Sequence, residues 1–412
     1  MSFAPVTSQS AVEENGGEYF PGIKKIEYRP DAVVVHGRTM EEWLRFSVCY
    51  WHTFRGTGAD PFGFPTMNRP WDDGSNSMEN AKRRLRAAFE FYQKLGNKYW
   101  TFHDRDVAPL GKDWAETNVF LDEITDYIAE LQKQTGVKLL WTTSNLVKKG
   151  LEVAKRLGGE GFVFWGGREG YQSLLNTDVK RELDHMAAFF RMAIEYKKKI
   201  GFNGQLYIEP KPKEPMKHQY DYDAQTVISF LKTYNLDAHI KLNIEPNHTT
   251  LAGHSHEHDV ILASKLGMLG SVDANTGSPD LGWDTDQFPM DVKNATFIMK
   301  AIIEQGGLIG GLNFDCKVRR ESTALEDMFI AHIGAMDTFA RALKAAVKII
   351  DDGVIPQAVK QRYASYDSGI GARIESGEAT LEELETYILT HGTPVPRSGQ
   401  QEKFEALLNR YV

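Results

Sequence analysis

Short apolar runs alternate with longer amphipathic segments from residue 45 to residue 350 of the chain. Apolar runs bounded by turn residues predict strands, and apolar positions at helical spacing predict helices. The predicted strands are residues 45–51, 99–102, 138–142, 161–165, 205–208, 240–244, 269–272 and 308–314. The predicted helices are residues 78–95, 114–134, 147–157, 177–200, 222–234, 256–266, 292–304 and 325–350.

Strict alternation of strand and helix is typical of parallel strands joined by right-handed crossovers, an α/β arrangement. Eight units within roughly 300 residues favour a closed (β/α)8 TIM barrel over an open doubly wound sheet. No G-x-G-x-x-G follows the first predicted strand, which further disfavours a dinucleotide-binding fold. We therefore predict that residues 43–350 form a single catalytic barrel.

Two flanking segments lack this alternation. Residues 1–42 form a prelude rich in turn formers, which ends at Thr39 and Glu42 with the spacing of a helix capping box. Residues 351–412 are polar, with short helical patterns at 381–389 and 401–408 and too few apolar residues for a core of their own. We expect them to form an extended helical arm that packs on a neighbouring subunit.

Composition narrows the choice of partners and compartment. A net charge of −8 disfavours nucleic-acid and anionic-membrane partners, and the basic run 197–199 is typical of a solvated helix face. Cys49 and Cys316 lie far apart in apolar stretches, which predicts buried thiols in a reducing compartment. Because no signal pattern opens the chain and no long apolar run occurs, we expect a cytoplasmic protein.

Carboxylates follow four successive predicted strands. Glu209, Glu245, Asp273 and Asp315 stand where strands five to eight end, the edge at which such barrels carry their functional groups. Four crowded carboxylates would repel one another and raise their own pKa values, so a divalent cation is the natural counter-charge. Lys211 lies on the same strand face as Glu209 and is a further candidate.

A second ion has candidate ligands nearby. His248 follows Glu245 by three residues, and Asp284 and Asp286 lie in the loop after strand seven, so Glu245 could bridge two ions. Oxygen ligands with one imidazole favour Mg²⁺, Mn²⁺ or Co²⁺ over thiolate-bound Zn²⁺. Taken singly, each of these residues could instead be a helix cap, a loop histidine or a surface charge, and the histidines at 254, 256 and 258 are better explained as a helix start.

Six longer motifs accompany these residues. They are Phe102-His103-Asp104-Arg105-Asp106, Trp165-Gly166-Gly167-Arg168-Glu169-Gly170, Glu209-Pro210-Lys211-Pro212-Lys213-Glu214-Pro215, Asp273-Ala274-Asn275-Thr276-Gly277, Trp283-Asp284-Thr285-Asp286-Gln287 and Asp315-Cys316-Lys317-Val318-Arg319-Arg320. Together they resemble the motifs of xylose isomerases of the longer class, and the resemblance runs from about residue 46 to the end of the chain. The resemblance implies interconversion of D-xylose and D-xylulose, with D-glucose and D-fructose as poorer substrates, in a homotetramer.

The resemblance also implies roles for individual residues. Two divalent cations per subunit would be held, a structural one by Glu209, Glu245, Asp273 and Asp315 and a catalytic one by Glu245, His248, Asp284 and Asp286. His103, oriented by Asp106, would assist ring opening at the anomeric oxygen, and Lys211 would hydrogen-bond the carbonyl oxygen of the open chain. The substrate pocket would be formed by Trp51, Trp141, Thr142 and Trp165, with Phe62 reaching into a neighbour's site.

The chain departs from the family pattern after the third strand, where only residues 146–157 separate Asn145 from Gly158. A helix of about 11 residues is ~16 Å long and leaves almost nothing for a loop at the active site. Pro246 stands where the family usually has Ala, and Leu110 stands where it often has Glu. We expect metal binding to be retained and sugar affinity or subunit contact to be weakened.

Three rival interpretations remain. A sugar epimerase on the same fold would use a carboxylate pair around one metal, which the Asp284 and Asp286 pair argues against. A metal-dependent endonuclease would need a basic track that the acidic composition does not offer. A shortened, inactive homologue retained for assembly or binding is the alternative that the missing loop favours and the intact ligand set opposes.

Overall fold

The computed structural model describes residues 17–26, 34–60 and 62–412. Eight parallel strands close into a barrel in which each pairs with its neighbours in sequence and the eighth pairs with the first. The strands are β1 (Phe46–Cys49), β2 (Tyr99–His103), β3 (Lys138–Thr143), β4 (Gly161–Trp165), β5 (Gln205–Glu209), β6 (Ile240–Ile244), β7 (Leu269–Asp273) and β8 (Leu312–Phe314). The predicted (β/α)8 barrel is confirmed.

A longer helix follows each strand on the outside of the barrel. These are α1 (Met78–Leu95), α2 (Trp114–Thr135), α3 (Val147–Arg156), α4 (Val179–Ile200), α5 (Ala224–Thr233), α6 (His258–Lys265), α7 (Val292–Glu304) and α8 (Leu325–Asp352). Helix α1 shows why the ends fall where they do. The Ser77 hydroxyl accepts from the backbone N–H of Asn80 at its start, and Gly96 takes a left-handed φ of 77° at its end.

Shorter elements complete the layer. Helix Met40–Leu44 precedes β1, and helices Asp104–Val107 and Pro246–Leu251 follow β2 and β6, respectively. Two small antiparallel sheets also form, one from Val34–Val35 and Arg38–Thr39 and one from Gly170–Tyr171 and His218–Gln219. The predicted capping box is present, since the Thr39 N–H donates to Glu42 Oε2 and the Glu42 N–H donates to Thr39 Oγ1. Most of the rest of the predicted prelude, residues 1–16 and 27–33, lies outside the described residues.

Two strands are shorter than predicted. β1 ends at Cys49 because Tyr50 adopts a helical conformation and opens a π-helical turn, Trp51–Arg55. β8 begins only at Leu312, because the chain bends at Ile309 and Gly310 before strand pairing starts. The first difference lies at the mouth of the barrel and the second at its base, and the barrel remains closed.

The barrel interior carries polar groups below the mouth. Its apolar filling includes Leu140, Trp141, Val163 and Tyr207. At β8, the side-chain oxygen of Asn313 accepts from the hydroxyls of Ser47 and Thr101, both at 2.8 Å, and its amide donates to Asp273 Oδ1 at 2.8 Å. This buried amide therefore ties β1, β2, β7 and β8 together directly beneath the carboxylates.

The chain continues after α8 as α9 (Val354–Tyr363), α10 (Gly369–Glu375), α11 (Leu381–His391) and α12 (Gln401–Leu408). Large apolar side chains of this arm are exposed, among them Leu381 at 82% and Leu389 at 80%. Its end packs against the barrel, where Leu408 is buried and Lys348 of α8 lies 5.6 Å from the Tyr411 ring centroid. Packing of this arm on a neighbouring subunit stays a prediction.

Both cysteines, Cys49 and Cys316, are buried and free. None of the helices in the described part of the chain has the length and apolar character needed to cross a membrane.

Candidate metal centre

Four carboxylates meet at the ends of β5 to β8. Oxygen atoms of Glu209, Glu245, Asp273 and Asp315 all lie within 4.8 Å of one another, and the four residues are between 0% and 8% exposed. They come together because neighbouring parallel strands end at the same edge of the barrel. The structure thus brings together the set that the strand ends predicted.

Buried amides hold these carboxylates in place. Asn243 Nδ2 donates to Glu209 Oε2 at 3.2 Å and to Asp273 Oδ2 at 2.8 Å, and Asn275 Nδ2 donates to Glu245 Oε1 at 2.7 Å. Sequence reasoning missed both asparagines. Asn243 precedes Glu245 by two residues and therefore faces the same side of its strand, a signal that could have identified it.

The charges of this cluster, here named the first carboxylate cluster, are poorly compensated by protein groups. Burial, followed by the charges of Asp273 and Asp315, raises the pKa of Glu209 well above its usual value. Burial and the neighbouring carboxylates also raise the pKa of Glu245 well above its usual value, and burial with the charge of Asp315 raises the pKa of Asp273 to about 8. A cation in their midst would restore ordinary carboxylate ionisation, so the donor set fits a divalent metal.

A second group shares Glu245 with the first. Carboxylate oxygens of Glu245, Asp284 and Asp286 lie within 4.8 Å of one another, and His248 Nε2 lies 3.2 Å from Glu245 Oε1 and 3.1 Å from Asp284 Oδ2. Helix Pro246–Leu251 carries His248. The loop after β7 carries both aspartates, and Asp286 adopts a left-handed φ of 43° there. We name Glu245, His248, Asp284 and Asp286 the second cluster.

The His248 ring is oriented for ligation. Its Nδ1 lies 3.0 Å from the carbonyl oxygen of Pro210, which can only accept a hydrogen bond. Nδ1 therefore carries a proton, and Nε2 faces the carboxylates of the second cluster. A cation between Nε2 and these carboxylates would be ligated by both, so this geometry also fits a metal.

Lys211 reaches the same cavity from beyond the end of β5. Its Nζ lies 2.7 Å from Asp284 Oδ2 and 5.4 Å from the centroid of the Trp165 ring. Burial acts to lower the pKa of Lys211, but the charge of Asp284 outweighs it and raises the pKa. Burial acts to raise the pKa of Asp284, but His248 and Lys211 hold it well below its usual value. Both groups are thus charged at neutral pH.

His103 stands at the end of β2 between an aromatic ring and a carboxylate. Its ring stacks on Trp51 with centroids 4.0 Å apart, and its Nδ1 lies 3.1 Å from Asp106 Oδ2. The indole N–H of Trp51 in turn donates to Asp315 Oδ1 at 2.9 Å. Trp51 therefore joins the histidine to the first carboxylate cluster.

A cavity of about 220 Å³ opens onto both clusters. Of the predicted pocket residues, Trp51, Trp141 and Trp165 line it together with His103 and Lys211. Thr142 is buried and its hydroxyl donates to the Phe102 carbonyl, and its neighbour Thr143 lines the cavity instead. Phe62 is 83% exposed, with its ring 6.0 Å from that of Trp283, and does not line this cavity.

Other groups at the site were missed by sequence reasoning. His52 Nε2 lies 3.2 Å from both Asp286 and Asp315; burial acts to lower its pKa, but these two carboxylates raise the pKa to about 10. Lys317 Nζ lies 2.9 Å from Asp286 Oδ2. Glu214, assigned to a loop ion pair with Lys213, accepts the backbone N–H of Asp284 at 3.0 Å. Only the placement of His52 directly after a strand could have indicated its role.

A separate group contains His254, His258 and Asp259, whose possible ligand atoms also lie within 4.8 Å of one another. These residues have protein partners: His254 Nε2 lies 3.1 Å from Asp223 Oδ2, and Asp259 accepts the backbone N–H of Ala224. His258 opens α6, as the sequence indicated, and the contacts of His254 and Asp259 join this segment to the start of α5.

Comparison with known proteins gives matches along nearly the whole chain. Xylose isomerase of Hordeum vulgare is 50% identical over 439 residues, covering 97% of this chain and 92% of that protein. Xylose isomerase of Rhodopirellula baltica is 54% identical over 412 residues, covering 93% and 94%. Residues 359–412 match the family model of the XylA2 C-terminal domain. The crystal structure of a putative xylose isomerase from Rhodospirillum rubrum, 12% identical with a TM-score of 0.50 over 72% of this chain and 98% of that chain, is similar in fold alone.

The comparison also bears on chain length. The Hordeum vulgare match extends over 439 residues, more than the 412 of this chain, so this chain lacks residues that its relative contains. In the structure, β3 ends at Thr143 and α3 begins at Val147, so the connection after the third strand is as short as predicted. At this level of identity and coverage, the chain belongs to the xylose isomerase family.

Proposed function

We propose that this protein interconverts D-xylose and D-xylulose, and D-glucose and D-fructose more slowly, by ring opening and a 1,2-hydride shift. The observation that carries the proposal is the pair of buried clusters sharing Glu245 at one wall of a cavity that also contains Lys211 and His103. In this reaction negative charge develops on oxygen atoms bonded to two adjacent carbons. Two clusters able to hold cations, together with a lysine and a histidine, could stabilise that charge.

Two divalent cations, Mg²⁺, Mn²⁺ or Co²⁺, would supply the positive charge that polarises the carbonyl and hydroxyl oxygens of the open sugar. The first carboxylate cluster would hold a structural ion that also orients sugar hydroxyls. The second cluster would hold the catalytic ion, and Glu245 would belong to both. Oxygen donors with a single imidazole suit these metals better than zinc.

Before the hydride shift, the ring must open. Asp106 Oδ2 lies 3.1 Å from Nδ1 of His103, so Nε2 is the ring atom that would exchange a proton at the anomeric oxygen. Stacking on Trp51 fixes the plane of the imidazole. In this role His103 acts on the substrate directly, and Asp106 positions it.

For the hydride shift, the hydrogen on C2 moves with its electron pair to C1. The C2 hydroxyl loses its proton and becomes the carbonyl, while the former carbonyl oxygen at C1 gains one. Lys211 donates a hydrogen bond to that oxygen, and its charge is maintained by Asp284. Trp51, Trp141 and Trp165 exclude water from the cavity, which strengthens these interactions.

The protein is proposed to work as a cytoplasmic homotetramer. Support for assembly comes from the exposed apolar side chains of the α9–α12 arm and from Phe62, which is 83% exposed beside the candidate site. Such side chains are commonly buried between subunits.

Label transfer tests both the substrate and the reaction. D-Xylose deuterated at C2 is incubated with the metal-loaded protein in ordinary water, and the xylulose is analysed by NMR. The proposal expects the deuterium at C1 of the ketose. Ketose formed with complete loss of the label to water would contradict the hydride shift, and absence of ketose would favour the inactive homologue.

A further inference from the structure

Beside the candidate site lies a much larger cavity, of about 1030 Å³, between the ends of β2 to β4 and helix α4. We call it the α4 groove. Its apolar side is formed by the aromatic rings of Phe164, Phe189, Phe190 and Phe230. Phe189 is 38% exposed, an unusual setting for a phenylalanine beside a polar pocket.

The short third unit of the barrel leaves this groove open. Helix α3 has 10 residues whereas its neighbour α4 has 22, so α3 is about 15 Å long and α4 about 33 Å. The connection before α3 is too short to compensate. The half of α4 that carries Glu182, His185 and Phe189 is therefore left facing the groove.

The groove is continuous with the candidate active site. His103, Thr143 and Trp165 line both cavities, whereas Lys211 and the second cluster line only the smaller one. Under the proposed function, the carbonyl end of the sugar lies at Lys211. The distal carbons of the open chain lie away from Lys211, and the cavity continues on the side lined by His103, Thr143 and Trp165.

The chemistry of the groove favours a neutral, hydroxyl-rich ligand. The exposed ring of Phe189, packed on the buried rings of Phe164 and Phe190, provides apolar surface for the C–H face of a sugar ring. Glu169, Glu182 and His185 provide hydrogen-bonding groups. Five carboxyl groups line the groove, at 104, 106, 169, 182 and 221, and they outnumber the two guanidinium groups, Arg105 and Arg168. An anionic substituent such as a phosphate would be repelled by this balance.

We propose that the α4 groove is a glycosyl subsite, through which this protein isomerises reducing disaccharides whose second sugar is attached to the terminal carbon of the aldose. The inference rests on the proposed xylose isomerase activity and extends its substrate range. The reaction remains a hydride shift from C2 to C1 within the reducing sugar, and the glycosidic bond is not broken.

Matched disaccharides test the proposal. Isomaltose and maltose have the same composition, but the second glucose is attached at O6 in the first and at O4 in the second. Ketose formation from each, and from D-xylose, D-glucose and glucose 6-phosphate, is measured by chromatography with the metal-loaded protein. We expect kcat/KM for isomaltose within about tenfold of that for glucose, with maltose and glucose 6-phosphate well below both.

Two variants on one helix localise the effect. Phe189→Ala removes an aromatic face of the groove and should lower the ratio of kcat/KM for isomaltose to that for xylose by about tenfold. Met192→Ala, which changes another exposed apolar residue of α4 outside the groove, should leave that ratio unchanged. Equal ratios in both variants would overturn the assignment of the subsite.

Turnover of xylose and glucose without turnover of isomaltose would overturn the glycosyl subsite and leave the proposed function standing. Absence of xylose turnover would overturn the proposed function itself. Protection of Phe189 from hydroxyl-radical oxidation in the assembled, sugar-free protein would also overturn the subsite, because a second copy of the chain would then fill the groove.

Discussion

Binding of the first metal ion should release protons in an amount set by the first carboxylate cluster. The pKa of Asp273 is raised to about 8, so this carboxyl holds a proton at pH 7 in the metal-free protein, and the pKa values of Glu209 and Glu245 are raised in the same direction. A group with a pKa of 8 is ~0.9 protonated at pH 7, and metal ligation requires the carboxylate form. We therefore expect release of about one proton from Asp273 when the first ion binds.

Titration calorimetry in buffers of different ionisation enthalpy measures this number. At pH 9, Asp273 has already lost most of its proton, so the release should fall by about one. Asp273→Asn should cause a similar fall at pH 7 and weaken binding, whereas Asp280→Asn, at an exposed loop position, should change neither. A binding enthalpy that is independent of the buffer at pH 7 would refute the reasoning.

Three further predictions concern the same site. A carboxyl whose pKa is raised on folding stabilises the folded state fully below about pH 4, and this contribution is lost as pH rises toward about 8. The melting temperature of the metal-free protein, measured by calorimetry, should therefore fall progressively from about pH 4 to about pH 8. Excess Mg²⁺ should abolish the trend, and a melting temperature that rises with pH would contradict it. His248→Asn should lower turnover roughly 10–100-fold while changing the melting temperature little, since the ring is oriented for ligation; equal loss of both would indicate a structural role. Because the pocket lacks one wall beside Asn145, the KM for xylose should exceed that of loop-containing relatives, and an equal or lower KM would count against the lost wall.

The barrel and its first carboxylate cluster could be predicted because both depend on local pattern and strand order. Parallel strands in sequence order must end side by side, so Glu209, Glu245, Asp273 and Asp315 had to converge. Element ends were less predictable. The late start of β8 follows a bend at Ile309 and Gly310, and glycine also occurs inside strands, as at Gly270 in β7.

The groups that orient the clusters could not be predicted from spacing alone. Asn243 and Asn275 act through hydrogen bonds across strands, and His52 reaches Asp286 through a turn that replaces the expected end of β1. Thr142 was predicted to line the pocket, but Thr143 does so instead. Successive side chains of a strand point to opposite faces, so an error of one position in the sequence assignment selects the wrong residue. The α4 groove likewise depends on the relative lengths of two helices, which the sequence indicates only after both are assigned.

The central claim is metal-dependent isomerisation of xylose, and it is tested most directly with metal-stripped protein. The protein is incubated with D-xylose alone and with Mg²⁺, Mn²⁺ or Co²⁺, its fold is verified by circular dichroism, and ketose is measured. The account predicts no ketose without metal and continuous ketose formation with at least one of the three ions. Folded protein that forms no ketose with any of them, or equal amounts with and without metal, would contradict it.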